Sequence, residues 1–115
     1  MAIVDDLTRA LTDALSAGAD AARAQGAALK GDFETLVRPQ LEDIAAQAAQ
    51  IAEDYVHGDI GEEQAEEDLA AQSHRIRPLI LAESELVGLA AQTIVNSLLD
   101  ALRKTVNTAA GIALL

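Results

Sequence analysis

The chain has 115 residues, with 19 acids against 8 bases and a formal net charge of −11, so it fits one domain and is a poor partner for nucleic acid or anionic lipid. It has no cysteine, which excludes disulfides, thiolate zinc sites and thiol catalysis. Half of the residues are hydrophobic but only 2% are aromatic (Phe33 and Tyr55), so alanine, leucine, isoleucine and valine must supply the core.

The opening MAIVDDLTRALTDAL lacks a basic region and a continuous apolar core, and it reads as no secretory signal. The expected location is the cytoplasm or an assembled particle. Apolar and small residues recur every three or four positions from 3 to 37, as on one face of a helix. Gln25 and Asp32 interrupt one track, so the stretch is not a clean coiled-coil seam. Gly18, Gly26 and Gly31 each weaken a helix by about 1 kcal/mol relative to alanine. A break is expected near Gly31, with Asp32 capping a short helix after it.

A second helix is predicted over 39–57. Pro39 sits in its first turn, Leu41, Ile44, Ala45, Ala48, Ile51, Ala52 and Tyr55 form its buried face, and Gly58 stops it. A third is predicted over 60–77. Asp59 and Glu62 have capping-box-like spacing, the apolar stripe is thin, and Pro78 ends or kinks the segment at Arg77. Residues 39–74 contain ten acids and no lysine or arginine, which makes the molecule polarised.

The fourth helix, over 82–108, contains LVGLAAQTIVNSLLDAL, which has one charge in seventeen residues. Leu86, Leu89, Ile94, Leu98 and Leu102 fall on one face, and Val87, Ala91, Val95, Leu99 and Val106 on another. The run is too short, and too interrupted by Gln92 and Asn96, for the roughly 20 apolar residues of a membrane span. A helix apolar over most of its girth belongs inside something. The other segments offer mainly alanine to cover it, so a second subunit is expected to complete the burial. The expected interface is Leu86, Leu89, Ile94, Val95, Leu98, Leu99, Leu102 and Val106, with Ile112, Leu114 and Leu115 in a docking tail over 109–115. The resulting fold class is all-α: a small bundle of three or four helices, completed by oligomerisation, with a long apolar C-terminal helix.

The residues that could carry chemistry are sparse. Asp54 and His57 share a helix face, and Glu62 and Glu66 lie on the next helix. That makes a weak set of metal ligands, because no second carboxylate–histidine pair matches it. Ser73, His74 and Asp68 hold the residue types of a hydrolase triad, but at helical spacings that point them apart. No nucleophile elbow, phosphate loop or zinc-protease motif occurs, so no enzyme activity and no cofactor are expected. Arg75 and Arg77 come directly after the acidic block and are expected to pair with Glu63 and Glu67 of a neighbouring subunit.

The leading expectation is a non-catalytic structural or assembly subunit. It would form a homo-oligomer or dock into a larger particle, such as a phage or secretion-related assembly. Three alternatives stand beside it: an amphipathic-helix binder of lipid or another apolar surface, an acidic adaptor that grips a basic protein through residues 53–68, and an oligomeric metal-binding bundle.

Overall fold

A computed structural model describes residues 2–86 and 88–115. Five helices are present among them: α1 (Ile3–Ala24), α2 (Phe33–Val56), α3 (Glu62–Ser73), α4 (Ile76–Ser84) and α5 (Gly88–Ala110). The described residues contain no strand, and no helix among them is long and apolar enough to cross a membrane. The fold is a small all-α bundle, as the periodicity predicts.

The first predicted helix ends well before Gly31. Gln25 caps α1 and Gly26 adopts φ +93°. The Gly26 amide donates to Arg23 O (2.9 Å) and the Ala27 amide to Ala22 O (3.0 Å), the paired bonds of a Schellman stop. Asp32 does stand at the N-cap of α2, but its side chain makes no capping bond. Nor is α2 short. It runs straight through Pro39, which therefore lies in the helix interior rather than in a first turn. At the far end of α2 the prediction holds. His57 is the C-cap, Gly58 has φ +80°, and the Asp59 amide closes the turn onto Asp54 O at 2.8 Å.

The third and fourth predicted helices are divided differently. Gly61, not Asp59, occupies the N-cap of α3. The chain turns at His74 and Arg75, so Pro78 lies in the first turn of α4, where its missing N–H costs nothing. Residues 82–84 belong to α4. Glu85, at φ +57°, then separates α4 from α5.

Packing is organised around α1, α2 and α5. α1 lies against both α5 and α2, α3 packs on α2, and α4 packs on α5 and α2. Ser97 Oγ donates to Ala14 O at 2.9 Å, and Gln25 Nε2 donates to Thr93 Oγ1 at 3.2 Å, so α1 and α5 run antiparallel. They cross closely at Gly18. A β-carbon there would meet Ile94 Cα at 3.1 Å and Ser97 Cβ at 3.2 Å. The core gathers Leu7, Leu11 and Leu15 of α1, Phe33, Leu41 and Ile44 of α2, Leu69 of α3, Ile76 and Ile80 of α4, and Ile94, Leu98 and Leu102 of α5.

One subunit thus covers most of the helix expected to need two. Ile94, Val95, Leu98, Leu102 and Val106 are all buried within the single chain. The cover comes from three leucines of α1 and the isoleucines of α4, where the sequence pattern suggests a kink. The tail folds back within the chain. Gly111 takes φ +79°, and the chain turns back on α5. The Asn107 side chain accepts the Leu114 and Leu115 amides at 2.9 and 3.0 Å and donates to Leu115 O at 3.1 Å. Leu114 is buried in the intrachain core and Leu115 is half-buried. Val87, which the sequence places on the apolar girdle of the last helix, lies outside the described residues.

Candidate functional site

The end of α2 and the start of α3 hold the weak metal candidates. No group of three His, Asp or Glu side chains placed to hold a metal ion occurs among the described residues, so Asp54, His57, Glu62 and Glu66 are not gathered. Asp54 Oδ1 instead accepts a hydrogen bond from Gln50 Nε2 at 2.9 Å. The hydrolase-like set is likewise dispersed. Ser73 Oγ donates to Ala70 O at 2.8 Å, and Asp68 Oδ1 accepts from Gln64 Nε2 at 2.8 Å.

The basic cluster works inside the subunit. Arg75 Nη2 meets Asp43 Oδ2 at 2.8 Å, and its Nη1 donates to Gln72 Oε1 at 2.8 Å. Gln72 Nε2 donates to Gln47 Oε1 at 3.1 Å, and Gln47 Nε2 returns to Asp43 Oδ2 at 2.9 Å. This closed ring fastens the end of α3 to α2 and gives Arg75 an intrachain partner. Arg77 Nη1 donates to the neutral Gln92 Oε1. Glu63 and Glu67 are exposed and enter no ion pair among the described residues, and the same holds for Glu62 and Glu66 beside them.

Two open grooves mark the surface. One, of about 410 Å³, lies between α1 and α5, and its charges are mixed: Asp6, Arg9, Asp13 and Lys104, with Thr105 and Thr108. The other, of about 510 Å³, lies where the α3–α4 turn meets α5 and is lined by Ser73, His74, Arg77, Pro78, Gln92, Val95 and Leu99. No carboxylate lines the second groove, although 19 of the 115 residues are acidic. Its apolar lining comes from Pro78, Val95 and Leu99, and Arg77 is among its polar lining residues.

In the first turn of α5, three residues before Gln92, Leu89 is 75% exposed, the most open of the large apolar side chains among the described residues, ahead of Val56, Leu36 and Ile112. Of the expected interface, then, Leu89 and Ile112 face solvent, Leu86, Leu99 and Leu115 are half-buried, and the others are core. Sequence reasoning missed Pro78 and Gln92 as parts of a shared surface. Pro78 is brought beside Gln92 of α5 by the α3–α4 turn, which the Arg75–Asp43 bond helps to hold across 32 residues of chain.

No family model, no curated protein and no solved structure matches the chain. The class defined by the fold is a small all-α bundle, and its most distinctive surface features are an acid-free groove and an exposed leucine of α5.

Proposed function

We propose that the protein is a non-catalytic assembly subunit, which associates with copies of itself or docks into a larger particle, in the cytoplasm or within that particle. The observation that carries this reading is the pairing of an open, acid-free groove with a leucine 75% exposed on the same helix. Exposed leucine and an apolar lining favour protein contact, and the absence of carboxylates removes the like-charge repulsion that opposes contact elsewhere on a −11 molecule. The test is light scattering coupled to size exclusion. A mass at a multiple of 12.0 kDa supports self-assembly, and a monomer at high micromolar concentration that captures no partner counts against it.

A second reading is supported by the exposed Glu62, Glu63, Glu66 and Glu67 of α3, which suit a basic protein partner. Such a complex would dissociate in 0.5 M salt, because exposed charges are screened beyond a Debye length of about 3 to 10 Å. Self-association through an apolar contact would persist.

A further inference from the structure

We infer that the acid-free groove between the α3–α4 turn and α5 binds a small organic acid, with its carboxylate on the Arg77 guanidinium and its apolar body along Pro78 and Leu99. The inference goes beyond the assembly reading and does not depend on it.

The charge on Arg77 is the first observation. Arg75 and Arg77 stand two residues apart and are treated oppositely by the fold. Arg75 is neutralised by Asp43 at 2.8 Å. Arg77 is exposed, enters no ion pair among the described residues, and donates from Nη1 to the neutral Gln92 Oε1. Gln92 is itself held, because its Nε2 donates to Asn96 Oδ1 at 2.6 Å. The guanidinium is thus oriented by an amide that does not cancel its charge. A guanidinium has several N–H donors in a rigid fork, and those not facing Gln92 match the two oxygens of a carboxylate.

The lining supplies the second observation. About 510 Å³ falls within the roughly 300–1,000 Å³ of small-molecule sites, which join apolar walls to a few placed polar groups. Gln92 and Leu99 lie seven residues apart on one face of α5, so about 10 Å of helix axis separates the Arg77–Gln92 end from the Leu99 end. That is the reach of a short acyl chain. Val95 between them is 1% exposed and shows only an edge, so exposed Pro78 and half-buried Leu99 make the apolar contact. His74 adds a ring N–H at the rim.

Charge then selects the ligand. No carboxylate lines the groove, so the −11 of the whole chain opposes an anion only from a distance, where salt at 0.15 M screens it beyond about 8 Å. An organic cation would meet Arg77 and no counter-charge.

The experiment titrates the full ¹⁵N-labelled chain with hexanoate in 0.15 M salt and follows the amide spectrum. Saturating shifts should gather at residues 73–78 and 92–99, with a Kd of about 1 mM, as suits so small a ligand. Acetate, which has the charge without the body, and hexan-1-ol, which has the body without the charge, should each bind at least tenfold more weakly. Arg77→Gln should lose at least tenfold. Gln92→Glu should lose as much while keeping the arginine, because the new carboxylate takes up the guanidinium and repels the ligand. Arg38→Gln, which alters an exposed arginine outside the groove, should bind as wild type does. Far-UV circular dichroism confirms that each variant is folded. Hexanoate shifts that do not saturate by about 20 mM, that fall elsewhere, that hexan-1-ol reproduces, or that survive both Arg77→Gln and Gln92→Glu overturn the site.

Discussion

The absence of a side chain at position 18 decides how closely α1 and α5 approach. Alanine would gain about 1 kcal/mol of helix propensity, but its methyl would press on Ile94 Cα at 3.1 Å, backbone that cannot rotate away. The two effects oppose each other, so Gly18→Ala should change stability little. Gly18→Val adds bulk to the same crossing and should cost about 1–3 kcal/mol, read as a lower urea midpoint. Asn107 is the second residue whose effect exceeds its size. Its amide makes three hydrogen bonds to the last two residues and so holds Leu114 in the core. Asn107→Ala should free that segment and cost about 1–2 kcal/mol. Hydrogen exchange at the Leu114 and Leu115 amides should accelerate, while amides in the middle of α1 and α5 stay protected.

At the scale of elements, the two prolines explain what the sequence could and could not convey. The existence of helices, the buried faces and the stop at Gly58 were legible, because they depend on neighbours within a turn or two. The role of each proline was not. The first-turn position expected of Pro39 is the one Pro78 occupies, and Pro39 lies inside α2, where it denies the Thr35 carbonyl a helical partner. Leu41, Ile44 and Ala45 beyond it, and Phe33 and Val37 before it, are all buried, so tertiary packing carries the helix across the defect. Pro39→Ala should therefore stabilise the protein by about 1–2 kcal/mol, less than the full helix penalty because alanine also loosens the unfolded chain. A raised thermal midpoint would show it. The candidate site was legible only in pieces. Val95, Leu99 and Arg77 stood out singly, but the groove exists because the turn at His74 and Arg75 sets the start of α4 beside α5. Nothing within a few residues of that turn announces Asp43 as its anchor.

For the whole molecule, apolar packing outweighs charge pairing. The five ion pairs among the described residues lie at the surface, where such pairs contribute little. The net charge of −11 meanwhile pushes the compact state apart. Raising salt from 20 mM to 0.5 M should therefore raise the urea midpoint, since it screens more repulsion than attraction. Leu98, fully buried and central in α5, should cost about 3 kcal/mol when truncated to alanine, in monomer and oligomer alike, because its contacts lie within the chain.

The antiparallel union of α1 with α5 also sets a timetable for biosynthesis. Residues 25–87 separate the end of α1 from the start of α5. At about 5–20 residues per second, a ribosome needs roughly 3 to 13 s to deliver them. Throughout that interval the side of α1 that α5 will cover lacks that cover, although α2 has already emerged. The molecule closes last where it is held most extensively, so its vulnerability to aggregation and to chaperone capture is concentrated before the final helix emerges.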